Sequence, residues 1–258
     1  MMSNSSLVRY TKLSPNCTKP RNHVIDTITI HCMAGNLSVE TCGEVFAPTS
    51  RQASSNYGIG SDGRIALYVD EANRSWCTSS SSNDNRAVTI EVANCGGAPD
   101  WPVSDKAYAA LLDLVTDICK RNGIKKLLWK GDKSLIGQVD KQNMTVHRWF
   151  AAKACPGDYL YNRHAAIAEE VNKRLGAVTT PATPPAGTGS AAVSYLVKVT
   201  ATELNIRKGP GTNYGTNGSI KDKGTYTIVA ESAGPGATKW GKLKSGAGWI
   251  SLDYVKKV

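Results

Sequence analysis

No apolar run in the 258 residues approaches the roughly 20 that a membrane-spanning helix needs, so a helical membrane protein is excluded and no membrane partner is expected. The opening Met1-Met2-Ser3-Asn4-Ser5-Ser6 lacks a basic residue followed by an apolar core. No export signal of the usual kind is therefore expected. The seven cysteines are odd in number and lack framework spacing, which argues against a disulfide scaffold and for reduced thiols in a cytoplasm. No nucleic-acid motif is present and the basic residues are scattered rather than arrayed. Nucleic acid is thus not an expected partner, despite a net charge of +10.

That charge is uneven. Residues 1–176 carry 21 basic and 17 acidic side chains, whereas residues 193–258 carry 10 and 4. A basic tail suits a polyanion, such as an anionic cell wall, or it serves solubility alone. Between the two lies Ala177 to Ala192, an uncharged stretch with three prolines and no large apolar residue except Val178. Such a segment cannot bury a core and reads as a semi-stiff linker. Three parts follow: a domain over 1–176, a linker over 177–192 and a small domain over 193–258.

The first part mixes strand and helix signals. Val24–His31 is rich in β-branched residues and reads as a strand. Ser38 can cap a short helix, and Tyr57–Gly60 and Arg64–Val69 flank the hairpin turn Ser61-Asp62-Gly63. Arg86–Ala93 is a strand with Val88, Ile90 and Val92 on one face and Thr89, Glu91 and Ala93 on the other. Ser104 to Asn122 reads as a capped helix stopped by Gly123, and Gly157–Leu175 as a second long helix. The expected fold class is α/β, a mixed central sheet flanked by helices. The second part shows short strands at 197–199, 204–207, 225–230, 239–244 and 248–250, separated by Gly, Pro and Asn. That is the pattern of a small all-β barrel.

Chemistry concentrates at two places. His31 ends the first strand, and His147, Lys153 and Cys155 fall within nine residues. Imidazole and thiolate are favoured zinc ligands, and two His plus one Cys leave a tetrahedral ion one open position. Such an ion lowers the pKa of water to about 7 and acts as a Lewis acid toward a carbonyl. The set points to a zinc hydrolase. Cys32 points to the other side of the strand from His31 and is not counted as a ligand. Glu91, a carboxylate between Ile90 and Val92, is the best proton carrier, and Lys153 the best oxyanion stabiliser. Each has a plainer reading. His31 can be a hydrogen-bonded core residue, Cys155 a small hydrophobe, Lys153 a solvated side chain, and Glu91 the partner of Arg64 or Arg86.

At these residues the chain resembles the zinc-dependent N-acetylmuramoyl-L-alanine amidases, the type shared by phage lysozyme-like amidases and peptidoglycan recognition proteins. The resemblance covers about residues 22–176. It rests on Ile28-Thr29-Ile30-His31-Cys32, on Asn56-Tyr57-Gly58-Ile59-Gly60-Ser61-Asp62-Gly63, on Val88-Thr89-Ile90-Glu91, and on the spacing of His147, Lys153, Cys155 and Pro156. It implies one zinc ion per chain held by His31, His147 and Cys155, with Glu91 as acid/base and Lys153 as electrostatic helper. It also implies the family's peptidoglycan-recognition-protein-like fold and cleavage of the amide between N-acetylmuramic acid and L-alanine. Two positions depart from the family. Ser55 and Asn56 stand where some members carry Tyr and His, and Trp76-Cys77 stands where many carry Trp-His. Asn56 and Cys77 are then expected on the substrate groove.

Leu204-Asn205-Ile206-Arg207-Lys208-Gly209-Pro210-Gly211-Thr212-Asn213-Tyr214, with Gly248-Trp249-Ile250 and Tyr254-Val255, resembles bacterial Src-homology-3-like domains. These commonly bind peptidoglycan, which would make Tyr214, Trp240, Trp249 and Tyr254 candidate contacts, some of them needed instead for the core. The combined expectation is a phage endolysin that waits in the host cytoplasm and then acts on the wall of a Gram-positive bacterium. The alternative is a non-catalytic peptidoglycan-binding protein of the same fold.

Overall fold

Alternation of apolar and polar residues in two strands decides the architecture of the first part. In the computed structural model, which describes residues 4–176, 192–212, 214–234 and 236–258, the chain divides into two compact units, Met1–Thr179 and Thr180–Val258. Of the linker expected over 177–192, residues 177–191 lie outside the described residues. Ala192 already opens a strand.

The first unit contains strands β1 (Tyr10–Thr11), β2 (Cys17–Thr18), β3 (Thr27–Cys32), β4 (Tyr57–Ile59), β5 (Ile65–Leu67), β6 (Arg74–Ser75), β7 (Ala87–Val92) and β8 (Met144–Thr145). Its helices are α1 (Val39–Phe46), α2 (Ser81–Arg86), α3 (Asp105–Arg121), α4 (Gly157–Tyr161) and α5 (His164–Arg174). Six strands form a mixed sheet in the order β1-β5-β4-β7-β3-β8. β3 runs parallel to both β7 and β8, and β4 is parallel to β7 but antiparallel to its hairpin partner β5.

One face of this sheet is the main core. Ile28 and Ile30 of β3, Tyr57 and Ile59 of β4, and Val88, Ile90 and Val92 of β7 pack with Leu111, Leu114, Val115 and Ile118 of α3 and Ile167 and Val171 of α5. Ser104 caps α3 through the Ala107 N–H, and Gly123 ends it in a left-handed conformation, φ 71°. The opposite face carries Thr29, His31, Thr89 and Glu91. It is partly covered by α1, whose Val39, Cys42 and Phe46 pack on Ala66 and Tyr68. Gly58 lies in that face, where an added Cβ would stand 2.4 Å from the Tyr68 ring, so only glycine admits Tyr68 there.

One expected helix is two. Gly157–Leu175 breaks at Asn162-Arg163, between α4 and α5. The Leu160 carbonyl accepts from the Arg163 N–H in a tightened turn and also from His164 Nδ1, at 2.8 Å. A buried imidazole thus takes the carbonyl that a continuous helix would use.

The second unit is all β: β9 (Ala192–Val199), β10 (Leu204–Arg207), β11 (Thr216–Ile220), β12 (Thr225–Gly234), β13 (Ala237–Leu243), β14 (Trp249–Ser251) and β15 (Val255–Lys257). They form one antiparallel sheet, ordered β11-β10-β14-β13-β12-β9-β15. Register shifts at Ile206/Arg207, Ile228/Ala230 and Ser232/Gly234 bend the strands. Six of the strands, all but β15, send a buried apolar side chain into one core of Val197, Val199, Leu204, Ile220, Ile228, Leu243 and Ile250. The sheet therefore folds over itself. All seven cysteines of the chain are free, and no described helix is long and apolar enough to cross a membrane.

Candidate metal centre and cleft

The parallel register places His31 of β3 directly beside Glu91 of β7, and Glu91 beside Gly58 of β4. Side chains in one register row share a face, so His31 and Glu91 rise together on the polar side of the sheet. His31 is fully buried there. Its Nδ1 lies 3.9 Å from Glu91 Oε1 and 3.3 Å from Cys155 Sγ.

Cys155 arrives from the loop after β8. This loop begins as a short 3-10 turn, His147–Trp149, which places the His147 ring 5.0 Å from that of His31. Arg148 closes the loop on itself. Its N–H donates to the Cys155 carbonyl at 3.1 Å, its guanidinium donates to the Ala154 carbonyl at 2.6 Å, and it pairs with Asp158 at 3.0 Å. The guanidinium also stacks over the Tyr161 ring, 4.6 Å from its centre. Sequence reasoning passed over Arg148. A cation inside a ligand-bearing loop was the available signal.

His31, His147 and Cys155 each offer a donor atom, all within 4.8 Å of one another. Zinc bonds of about 2.3 Å to sulfur and about 2.0 Å to nitrogen, set at a tetrahedral angle, hold donors roughly 3.5 Å apart. The Cys155–His31 separation matches that spacing. His31 Nε2, His147 Nε2 and Glu91 Oε2 are buried and have no hydrogen-bond partner among the described residues. Buried polar atoms are seldom left so without a ligand or water to meet them. The donor set is soft and neutral enough to suit zinc.

Electrostatics agree with this use. Burial pushes His31 well below its ordinary pKa, with His147 adding to the effect, so the imidazole is neutral and able to ligate. Burial, then the Lys153 charge, lowers His147 as well. Burial lifts the Glu91 carboxyl well above its ordinary range, aided by Cys32, against a smaller opposing pull from Cys77 and Arg51. A shared hydrogen bond with Cys32, then burial and Glu91, raises the Cys155 thiol. A bound divalent cation reverses that sign and deprotonates a coordinating thiol.

Glu91 pairs with neither arginine considered from the sequence. Arg86 is bound to Asp26, and Arg64 to Glu40 and Asp62. Beyond His31, the Cys77 thiol stands against it, 3.9 Å from Oε1. Lys153 is exposed and, with His147, Cys77, Trp76, Arg51 and Arg74, lines a cleft of about 540 Å³. Cys77 thus lines this cleft.

Asn56 does not. It is fully buried, its amide nitrogen donating to the Val69 and Asp70 carbonyls and its oxygen accepting from Thr89 N–H and Oγ1. Every polar atom ties the start of β4 to its neighbours, leaving nothing for a ligand. Ser55 is buried too, its hydroxyl donating to the Tyr57 carbonyl at 2.8 Å.

The sequence profile of the N-acetylmuramoyl-L-alanine amidase family matches residues 21–158, the span that holds every element of this site. The chain belongs to that family. Among solved structures, the amidase unit is similar to a selenomethionine derivative of AmpD at 17% identity and TM-score 0.49, covering 65% of this chain and 98% of that one. A mutant of PlyL gives 14% identity, TM-score 0.43 and coverage of 63% and 96%. The N-acetylmuramoyl-L-alanine amidase LysC from Clostridium intestinale URNW gives 17%, 0.40, and 66% and 95%. No curated protein matches the chain.

In the second unit the four expected aromatics divide. Tyr214 and Tyr254 are 42% and 54% exposed, and Trp249 is half-buried. Trp240 is buried, with its indole N–H donating to the Gly234 carbonyl at 3.3 Å. Its ring belongs to the interior rather than offering a flat outer face. Trp240, Tyr254, Arg207, Glu203 and Asn205 border a pocket of about 350 Å³.

Proposed function

We propose that this amidase is a zinc-dependent peptidoglycan hydrolase that cuts the amide between N-acetylmuramic acid and L-alanine. The observation that carries the reading is the convergence of His31, His147 and Cys155 donors within 4.8 Å, beside Glu91, with His147 lining the cleft. Zinc held by these three residues would supply a Lewis acid for the amide carbonyl and activate a water. The chain's own groups do the rest. Glu91, its carboxyl lifted by burial, holds a proton at Oε1 or Oε2 and passes it to the leaving amine nitrogen. The Lys153 ammonium, at the cleft edge, faces the oxygen that gains charge.

The second unit is proposed as a Src-homology-3-like wall-binding module, with Tyr214, Trp249 and Tyr254 as its outer contacts. Its excess of basic over acidic side chains suits the anionic wall of a Gram-positive bacterium. We place the protein as a phage endolysin, held in the host cytoplasm until lysis. The test is mass spectrometry of Gram-positive peptidoglycan after digestion, with and without a chelator. Stem peptides with a new L-alanine N-terminus and intact glycan, lost on chelation, are expected. New reducing sugar ends, or cuts inside the stem, would overturn the bond assignment.

One observation favours a second reading, wall binding without cutting. The position where some members carry a tyrosine holds Ser55, buried and bonded to backbone, so Glu91 stands without that second proton carrier. Bound zinc and tight wall binding with no released amine would decide for it.

A further inference from the structure

Cys32 follows the candidate ligand His31 in β3, and by strand alternation its side chain belongs to the opposite face. Its backbone nevertheless meets Cys155 at the end of the strand. The Cys32 N–H donates to Cys155 Sγ at 3.4 Å. The Cys155 sulfur thus lies against the backbone of Cys32, a free cysteine 123 residues away in the chain, and Cys155 is itself a candidate metal ligand. Cys155 Sγ sits between His31 Nδ1 on one side and Cys32 on the other.

We propose that Cys32 and Cys155 are a disulfide-forming pair, through which oxidation by a peroxide withdraws the Cys155 ligand from the metal centre. The idea rests on the metal-site reading above. In the first step Cys155 sulfur attacks the peroxide O–O bond; an S–O bond forms, and the other oxygen leaves as water or an alcohol. In the second, Cys32 sulfur attacks the Cys155 sulfur. The S–S bond forms, the S–O bond breaks, and the hydroxyl departs with the Cys32 proton as water. Two thiols are oxidised and one peroxide is reduced. The two histidines alone then face the metal, and a dithiol reductant restores the third ligand. Cys32 serves as the resolving thiol, which spares Cys155 from irreversible over-oxidation.

The experiment treats the zinc-loaded full chain with hydrogen peroxide and reads three things that need no hydrolysis. These are zinc released to a chromophoric chelator, a non-reducing peptide map, and recovery of zinc binding after dithiothreitol. Wild type is expected to release its zinc, to give one linked peptide joining Cys32 to Cys155, and to recover. Cys32→Ser is expected to bind zinc as wild type does, to release it on oxidation with Cys155 as sulfinic acid, and not to recover. Exposed Cys95 acts as an internal standard for oxidant dose. Oxidised Cys95 with Cys32 and Cys155 still reduced would overturn the pairing, as would a link from Cys155 to any other cysteine. Recovery in Cys32→Ser equal to wild type would also overturn it. Failure to bind zinc before oxidation would instead sink the function reading, so the two failures are distinct.

Discussion

Single side chains carry two separable jobs in the metal centre. Replacing His31, His147 or Cys155 with Ala removes a donor, so zinc content and hydrolysis should fall together. Glu91→Gln keeps the donors but cannot release a proton; zinc content should hold while kcat drops about 10²–10⁴-fold, the usual worth of a positioned acid/base group. A Glu91→Gln enzyme with unchanged kcat would remove Glu91 from the chemistry. A third residue speaks to stability. His164 is buried and its imidazole is pushed down to about 4 from the ordinary 6.5, mainly by burial. Between these values the unfolded chain takes up a proton that the folded chain refuses. Stability is thus complete above about pH 6.5 and declines as pH falls toward 4, by on the order of 3 kcal/mol. Urea unfolding at pH 7 and pH 4.5 should show a smaller loss for His164→Gln than for wild type; equal losses would refute the assignment. The clustering of His31, His147 and Cys155 was legible in the sequence because histidine, lysine and cysteine at fixed spacing are chemically conspicuous. Asn56 was misplaced because a polar letter does not say whether backbone groups will claim its polar atoms.

Elements decide whether those side chains meet. The 147–155 loop has little regular structure of its own, and Arg148 supplies three of the contacts that hold it closed. Arg148→Met should weaken zinc binding by roughly 10–100-fold, the range seen when groups that orient metal ligands are lost. Competition with a chromophoric chelator measures it. Buried Glu71 plays a similar part in tying β4 to the end of α3, accepting from Tyr57 Oη at 2.5 Å and pairing with Arg121 at 2.6 Å. Glu71 is fully buried, so Arg121→Met leaves its charge partly unmet and should cost about 3–5 kcal/mol in chemical denaturation. Strands β3 and β7 and helix α3 could be read from periodicity because each buries one face of the main core. The break between α4 and α5 could not, since it arises when the His164 side chain competes for a backbone carbonyl. Nor could β11, whose Thr-Asn-Gly-Ser-Ile is nearly all polar and is held by ladder bonds to β10.

At the scale of the molecule, the two units have separate cores with no residue in common. Calorimetry of the full chain should therefore resolve two transitions, the metal-binding one rising with added zinc and the other unmoved. A single transition that shifts as a whole would mean that the units unfold together. The split into two units was legible because a prolonged stretch without charge or large apolar residues interrupts the sequence. The all-β character of the smaller unit was legible too, although β12 runs to ten residues, beyond the 225–230 that its residues suggested. The register of β3 against β7 has one more consequence. The alignment of His31 with Glu91 is set by backbone pairing, and a strand behaves here as a ruler with two-residue markings. A single-residue insertion or deletion upstream in either strand would turn one of the two away from the cleft and bury it among isoleucines and valines. This centre therefore tolerates almost no change in the count of residues along these two strands.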